Sequence, residues 1–135
     1  MKLTDVVPNL IVADIDRSTA FYREVLGFSV VATVPDQSPF VFVWLQRDEV
    51  SVFLNAQSAA SEDLPHLAAQ ALGGTATLYV TIDATSEHDG VDALYGAIAN
   101  QCRVVLPLKT QFYGMREFGV ADPDGYTLTF AQRVG

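Results

Sequence analysis

The chain has one cysteine, Cys102, and two histidines, His66 and His88, in 135 residues. A single thiol excludes an internal disulfide, and a reducing cytoplasm is the expected setting. Two histidines are a thin supply of imidazole for metal binding or proton transfer. Basic residues are also scarce: 8 Lys and Arg against 16 Asp and Glu leave a net charge of −8. Nothing resembles the basic face that replaces counterions around phosphates, so nucleic acid is not an expected partner. No apolar run approaches the roughly 20 residues that span a bilayer, and no membrane role is expected. The start, Met1-Lys2-Leu3-Thr4-Asp5, turns polar too early for a signal peptide.

Hydrophobic residues make up 50% of the chain, enough for a globular core. Val6–Val12 is short, apolar and β-branched, and predicts a strand. Asp14 is placed to cap a helix and Asp16 to favour its first turn. Ser18, Phe21, Tyr22 and Val25 recur at helical spacing on one face, and Gly27 ends the helix. Three strands follow, Phe28–Val34, Phe40–Gln46 and Val50–Asn55, separated by Pro- and charge-rich turns. Ala56–Thr75 breaks this pattern and predicts a linker with a short helix around Leu67–Leu72.

The same order then starts again. A strand is expected over Ala76–Ile82. A helix with stripe Val91, Leu94, Tyr95 and Ile98 follows, with Ser86 as its expected cap. Strands over Arg103–Leu108, Met115–Ala121 and Thr127–Gln132 complete the second half. Asp122-Pro123-Asp124-Gly125 supplies the turn between the last two. The pattern is an internal repeat of strand, helix and three strands, an α+β fold of two βαβββ modules. The modules are expected at residues 1–57 and 76–135, joined by a linker at 58–75.

Two stretches give the chain a family likeness. One is Leu10-Ile11-Val12-Ala13-Asp14-Ile15-Asp16-Arg17-Ser18-Thr19-Ala20-Phe21-Tyr22, continuing through Leu26-Gly27-Phe28. The other runs from Tyr113-Gly114-Met115-Arg116-Glu117-Phe118 into Asp122-Pro123-Asp124-Gly125-Tyr126-Thr127-Leu128-Thr129-Phe130. At this separation they resemble the vicinal oxygen chelate superfamily, which includes glyoxalase I, extradiol dioxygenases and bleomycin-resistance proteins. The resemblance implies paired βαβββ modules with curved mixed sheets around a cavity, and a homodimer. In metal-dependent members it also implies His, Gln or Glu ligands on the first and last strands of each module.

Those ligand positions correspond here to Val7, to Phe53 or Asn55, to Thr77 and to Thr129. Val and Phe cannot coordinate, and neutral Thr or Asn oxygens are poor ligands for a catalytic metal. His66 and His88 lie in polar, loop-like stretches and are read as solvated. Glu117, mid-strand, could face the cavity, but salt-bridging at the sheet surface is the favoured reading. Cys102 has no histidine placed to activate it, and no Gly-x-Ser-x-Gly elbow occurs. No metal, cofactor or catalytic residue is therefore assigned.

Strand alternation instead assigns a ligand face. Val7 and Asn9, then Phe42 and Trp44, then Phe53 and Asn55 are the candidates in the first module. Thr77, Tyr79 and Thr129 are the candidates in the second, and the resemblance adds Phe112, Tyr113 and Met115 of the segment leading into the last hairpin, which in bleomycin-binding relatives helps stack planar ligand rings. Aromatic clusters ordinarily pack cores, but Tyr and Trp carry polar tips suited to a partly wet pocket. The leading reading is a metal-independent binder of a small, planar or cationic compound such as an antibiotic, favoured by stacking and the acidic field. A lyase, isomerase or dioxygenase of the same superfamily is the alternative. A structural or regulatory dimer with a self-filled pocket is the third.

Overall fold

The computed structural model describes all 135 residues. The chain divides into two compact units, Met1–Leu72 and Gly73–Gly135. The first holds β1 (Asn9–Val12), α1 (Ile15–Ala20) continuing into a wider π-type turn at Phe21–Val25, β2 (Ser29–Val34), β3 (Phe42–Arg47) and β4 (Val50–Ala56). Two short helices, α2 (Gln57–Asp63) and α3 (Pro65–Ala68), close that unit. The second holds β5 (Thr77–Ile82), α4 (Val91–Ile98), β6 (Arg103–Thr110), β7 (Met115–Ala121) and β8 (Thr127–Arg133).

Each unit forms one four-stranded mixed sheet, ordered β1-β4-β3-β2 in the first and β5-β8-β7-β6 in the second. In both, the first strand pairs in parallel with the last, and the remaining neighbours are antiparallel. The repeat expected from sequence is thus a repeat of topology as well as of order.

Alternation fixes which face of each sheet is buried. In the first unit Leu10, Val12, Val43, Leu45, Val52 and Leu54 are buried together with Ile15, Tyr22 and Leu26 of the helical segment. Tyr22 sits between the rings of Phe21 and Phe28, with centroids 5.6 and 5.7 Å away and edge-on geometry. In the second unit Val91 and Ile98 of α4 are buried, as are Phe118, Val120, Leu128 and Phe130 on the strands. Each such side chain contributes roughly 1.5–3 kcal/mol by leaving water.

Helix starts and stops follow local chemistry. The Asp14 carboxylate accepts from the Arg17 N–H at 3.0 Å, satisfying one orphan donor of α1. Gly27, at φ 74°, ends the helical segment where Arg47 approaches its backbone. The Arg47 Nη1 donates to the Leu26 carbonyl at 2.7 Å, so a strand side chain closes the helix end.

Three local expectations are corrected. β1 begins at Asn9 and not at Val6, so Val7 lies outside the sheet. Pro8 has no N–H to offer a ladder, and the Val6 N–H donates to the Asp5 side chain at 2.8 Å. α4 is not capped by Ser86, whose N–H instead donates to Asp89 at 2.8 Å. The Val91 N–H donates to the Gln132 side chain at 2.8 Å, so the cap comes from β8. Helices occupy Gln57–Asp63 and Pro65–Ala68, not Leu67–Leu72. Buried Ala60 and Ala68 dock them beside Ile11 and Leu72.

Candidate functional site

The face of each sheet turned away from its helix carries nearly all the candidate residues. In the first unit β3 pairs Trp44 with Phe53 and Phe42 with Asn55, and β1 pairs Asn9 with Phe53 and Ile11 with Asn55. Directly paired residues share a face, so Asn9, Phe42, Trp44, Phe53 and Asn55 come together. Phe53 stands centrally, 5.1 Å from Phe42 and 5.9 Å from Trp44 by ring centroid, edge-on to both. All three rings are only half-buried.

Polar groups border this aromatic strip. The Asn55 side-chain amide donates to the Asn9 side-chain carbonyl. The Trp44 indole N–H donates to Ser51 Oγ at 3.1 Å, so it is already engaged within the protein. Val7, partly buried, stays on the segment before β1 and off the ladder. Phe40 also stays outside β3. It borders a groove of about 580 Å³ with Thr19, Arg23, Glu24 and Phe28. That groove contains none of the candidate residues and lies on the helix side, with Val43. Within the first unit the aromatic strip lies on a half-buried sheet face.

In the second unit Tyr79 pairs with Thr129, Thr77 with Thr127, and Glu117 with Ala131. Tyr79, Thr77, Thr129, Met115 and Glu117 therefore share one face. Thr129 and Met115 are buried, while Tyr79 and Tyr113 are 53% and 46% exposed. Phe112, at 98% exposure, stands at the tip of the β6–β7 connection, its ring 5.1 Å from that of Tyr113.

Glu117 is not the salt-bridged surface residue expected from its alternation with Arg116. It is 7% exposed and accepts the phenol O–H of Tyr79 at 2.6 Å and that of Tyr113. Arg116 points to the other face, where its guanidinium makes a bidentate pair with Asp92 of α4 at 2.9 Å. The Tyr79 phenol is pushed up to about 12, first by its hydrogen bond to Glu117 and then by burial. Tyr113 is raised in the same way. Both phenols thus remain donors across the physiological range.

The metal positions implied by the fold hold Val7, Phe53 or Asn55, Thr77 and Thr129. The Asn55 amide is bound to Asn9, and the remaining donors are neutral hydroxyls. Nowhere do three His, Cys, Asp or Glu side chains gather as a metal group. This donor set does not fit a catalytic divalent cation.

A family model described as the glyoxalase/bleomycin resistance protein/dioxygenase superfamily matches residues 4–130. The chain belongs to this superfamily. A bleomycin resistance protein of Geobacillus stearothermophilus is 29% identical over 139 residues, covering 95% of this chain and 96% of the relative. A glyoxalase/bleomycin resistance protein/dioxygenase family enzyme from Burkholderia phytofirmans has the same fold, with TM-score 0.74, 22% identity, and 95% and 97% of the two chains covered. So does a bleomycin-binding protein of Streptomyces verticillus, solved with copper(II)-bleomycin, at TM-score 0.63, 20% identity, and 100% and 98% coverage. No helix of the chain is long and apolar enough to cross a membrane.

Three of the twelve candidates, Val7, Phe112 and Tyr113, lie off the strands, and the other nine divide between the two sheet faces, with Tyr113 joined to the second through its bond to Glu117. The residue whose setting sequence reasoning misread is Glu117. Its signal was present: an acidic residue in the middle of the strand Met115–Ala121, at a position whose alternation puts it opposite buried Phe118.

Proposed function

We propose that this chain is a small-molecule-binding protein that holds a planar, antibiotic-like compound without the help of a metal ion. The observation that carries the reading is the half-buried trio Phe42, Trp44 and Phe53, edged by the Asn9–Asn55 amide pair. Edge-on rings on one sheet face offer stacking surface, and the amides offer neutral hydrogen bonds that fix orientation. The bleomycin resistance relative supports an antibiotic as the ligand class. A second copy of the chain is the proposed cover for these faces, because large apolar surfaces are seldom left to water.

Trp44 is the only tryptophan, so selectively excited tryptophan fluorescence reports on this face alone. Titration with bleomycin should give a saturable change in that fluorescence, and Phe53→Ala should weaken it at least tenfold. Unchanged fluorescence and an unchanged melting temperature with bleomycin and with planar cationic antibiotics would overturn the reading.

A further inference from the structure

We propose that Glu117, held by Tyr79 and Tyr113, is a recognition point for a protonated nitrogen of the ligand: an ammonium, amidinium or guanidinium group next to an aromatic ring. The proposal deepens the binding role above and rests on it. It concerns the second sheet, and the aromatic strip of the first does not imply it.

A carboxylate at 7% exposure loses much of its hydration and needs compensation. Here the compensation comes from two neutral phenols and not from a cation. Lys109 stands across the ladder from Glu117, and Arg133 lies near enough to Tyr79 to act on its charge, yet neither reaches the carboxylate as an ion pair. A carboxylate has about four lone-pair sites, and two phenols occupy only two of them. The remaining capacity and the negative charge are open to a charge-assisted donor.

The phenols also act as walls. Tyr79 extends from β5 over β8, and Tyr113 comes from the connection before β7, so two half-exposed rings flank the acceptor. A cation bonded to the carboxylate would lie beside the phenol ends of both rings. Phe112, fully exposed beside Tyr113, supplies a third apolar surface for the ring that carries the nitrogen. A neutral ligand gains none of the charge-dependent part, and an anion is repelled.

The test compares benzamidine, cationic at neutral pH, with neutral benzamide, by isothermal titration of the full chain. Wild type should favour benzamidine, and Glu117→Gln should weaken benzamidine about tenfold, the loss of one hydrogen bond to a charged group, while changing benzamide less than twofold. Tyr79→Phe keeps the charge and should retain the preference for benzamidine. As a readout needing no variant, the 13C carboxyl resonance of Glu117 should shift with benzamidine and not with benzamide. Equal affinity of wild type for the two compounds, or an unmoved Glu117 resonance, would overturn the proposal. If bleomycin still changes Trp44 fluorescence in that case, the binding role stands and only the cation site falls. If bleomycin and both small compounds fail to bind wild type, both readings fall together.

Discussion

Tyr79 and Glu117 are hydrogen-bonded at 2.6 Å although they stand on strands that are not neighbours. β8 lies between β5 and β7, and it presents Thr129 and Ala131 on this face, small enough for a phenol to pass over. Two small side chains thus allow a long one to reach an acid 38 residues away. The relationship ties the outer strand to the interior of the sheet and sets the electrostatics of that face.

The bond has a measurable consequence at high pH. Its effect is to raise the Tyr79 phenol, so the stabilisation is fully present below pH 10 and is lost as pH rises through about 12. A tyrosinate absorbance titration of wild type should contain late-titrating phenols, and Glu117→Gln should return them toward pH 10. The melting temperature of wild type should also fall more steeply than that of the variant between pH 10 and 12. Coincident titration curves would contradict this account of the bond.

Phe118 is the core residue whose loss should cost most in the second unit. It is fully buried, with Tyr95 of α4 at 5.2 Å and Phe130 at 5.6 Å. Phe118→Ala should destabilise by about 3–5 kcal/mol through lost burial and the cavity left behind. Urea unfolding followed by circular dichroism measures it. A loss under 1 kcal/mol would mean that the ring is not packed as described.

Asp14 should matter less, and locally. Its carboxylate satisfies one helix N-terminal donor, so Asp14→Ala should cost about 1 kcal/mol and Asp14→Asn much less. The same unfolding experiment on both variants checks the ranking.

The core faces were legible in the sequence because strand periodicity is 2, and one correctly placed apolar residue assigns all its neighbours. Leu10, Val43, Leu45, Val52 and Leu54 follow from that alone, and so do their opposites Phe42, Trp44 and Phe53. Contacts spanning long sequence separations were not legible. The cap of α4 comes from Gln132, 41 residues after Val91, and the local signal at Ser86 is spent on Asp89. The setting of Glu117 was hidden in the same way. Sequence alternation shows Arg116 beside it, but pleating sends the two to opposite faces, toward Asp92 and toward the phenols. The start of β1 was misplaced because apolar Val6 and Val7 fit a strand, while Pro8 denies the ladder a donor.

The central claim is that affinity arises from rings, amides and a carboxylate, with no metal held by the protein. It is tested most directly by isothermal titration of copper(II)-bleomycin into protein stripped with EDTA and dialysed free of it, beside untreated protein. The same dissociation constant and one site per chain are expected in both. Binding that disappears on stripping and returns with added Ni, Zn, Mn or Fe would contradict the account.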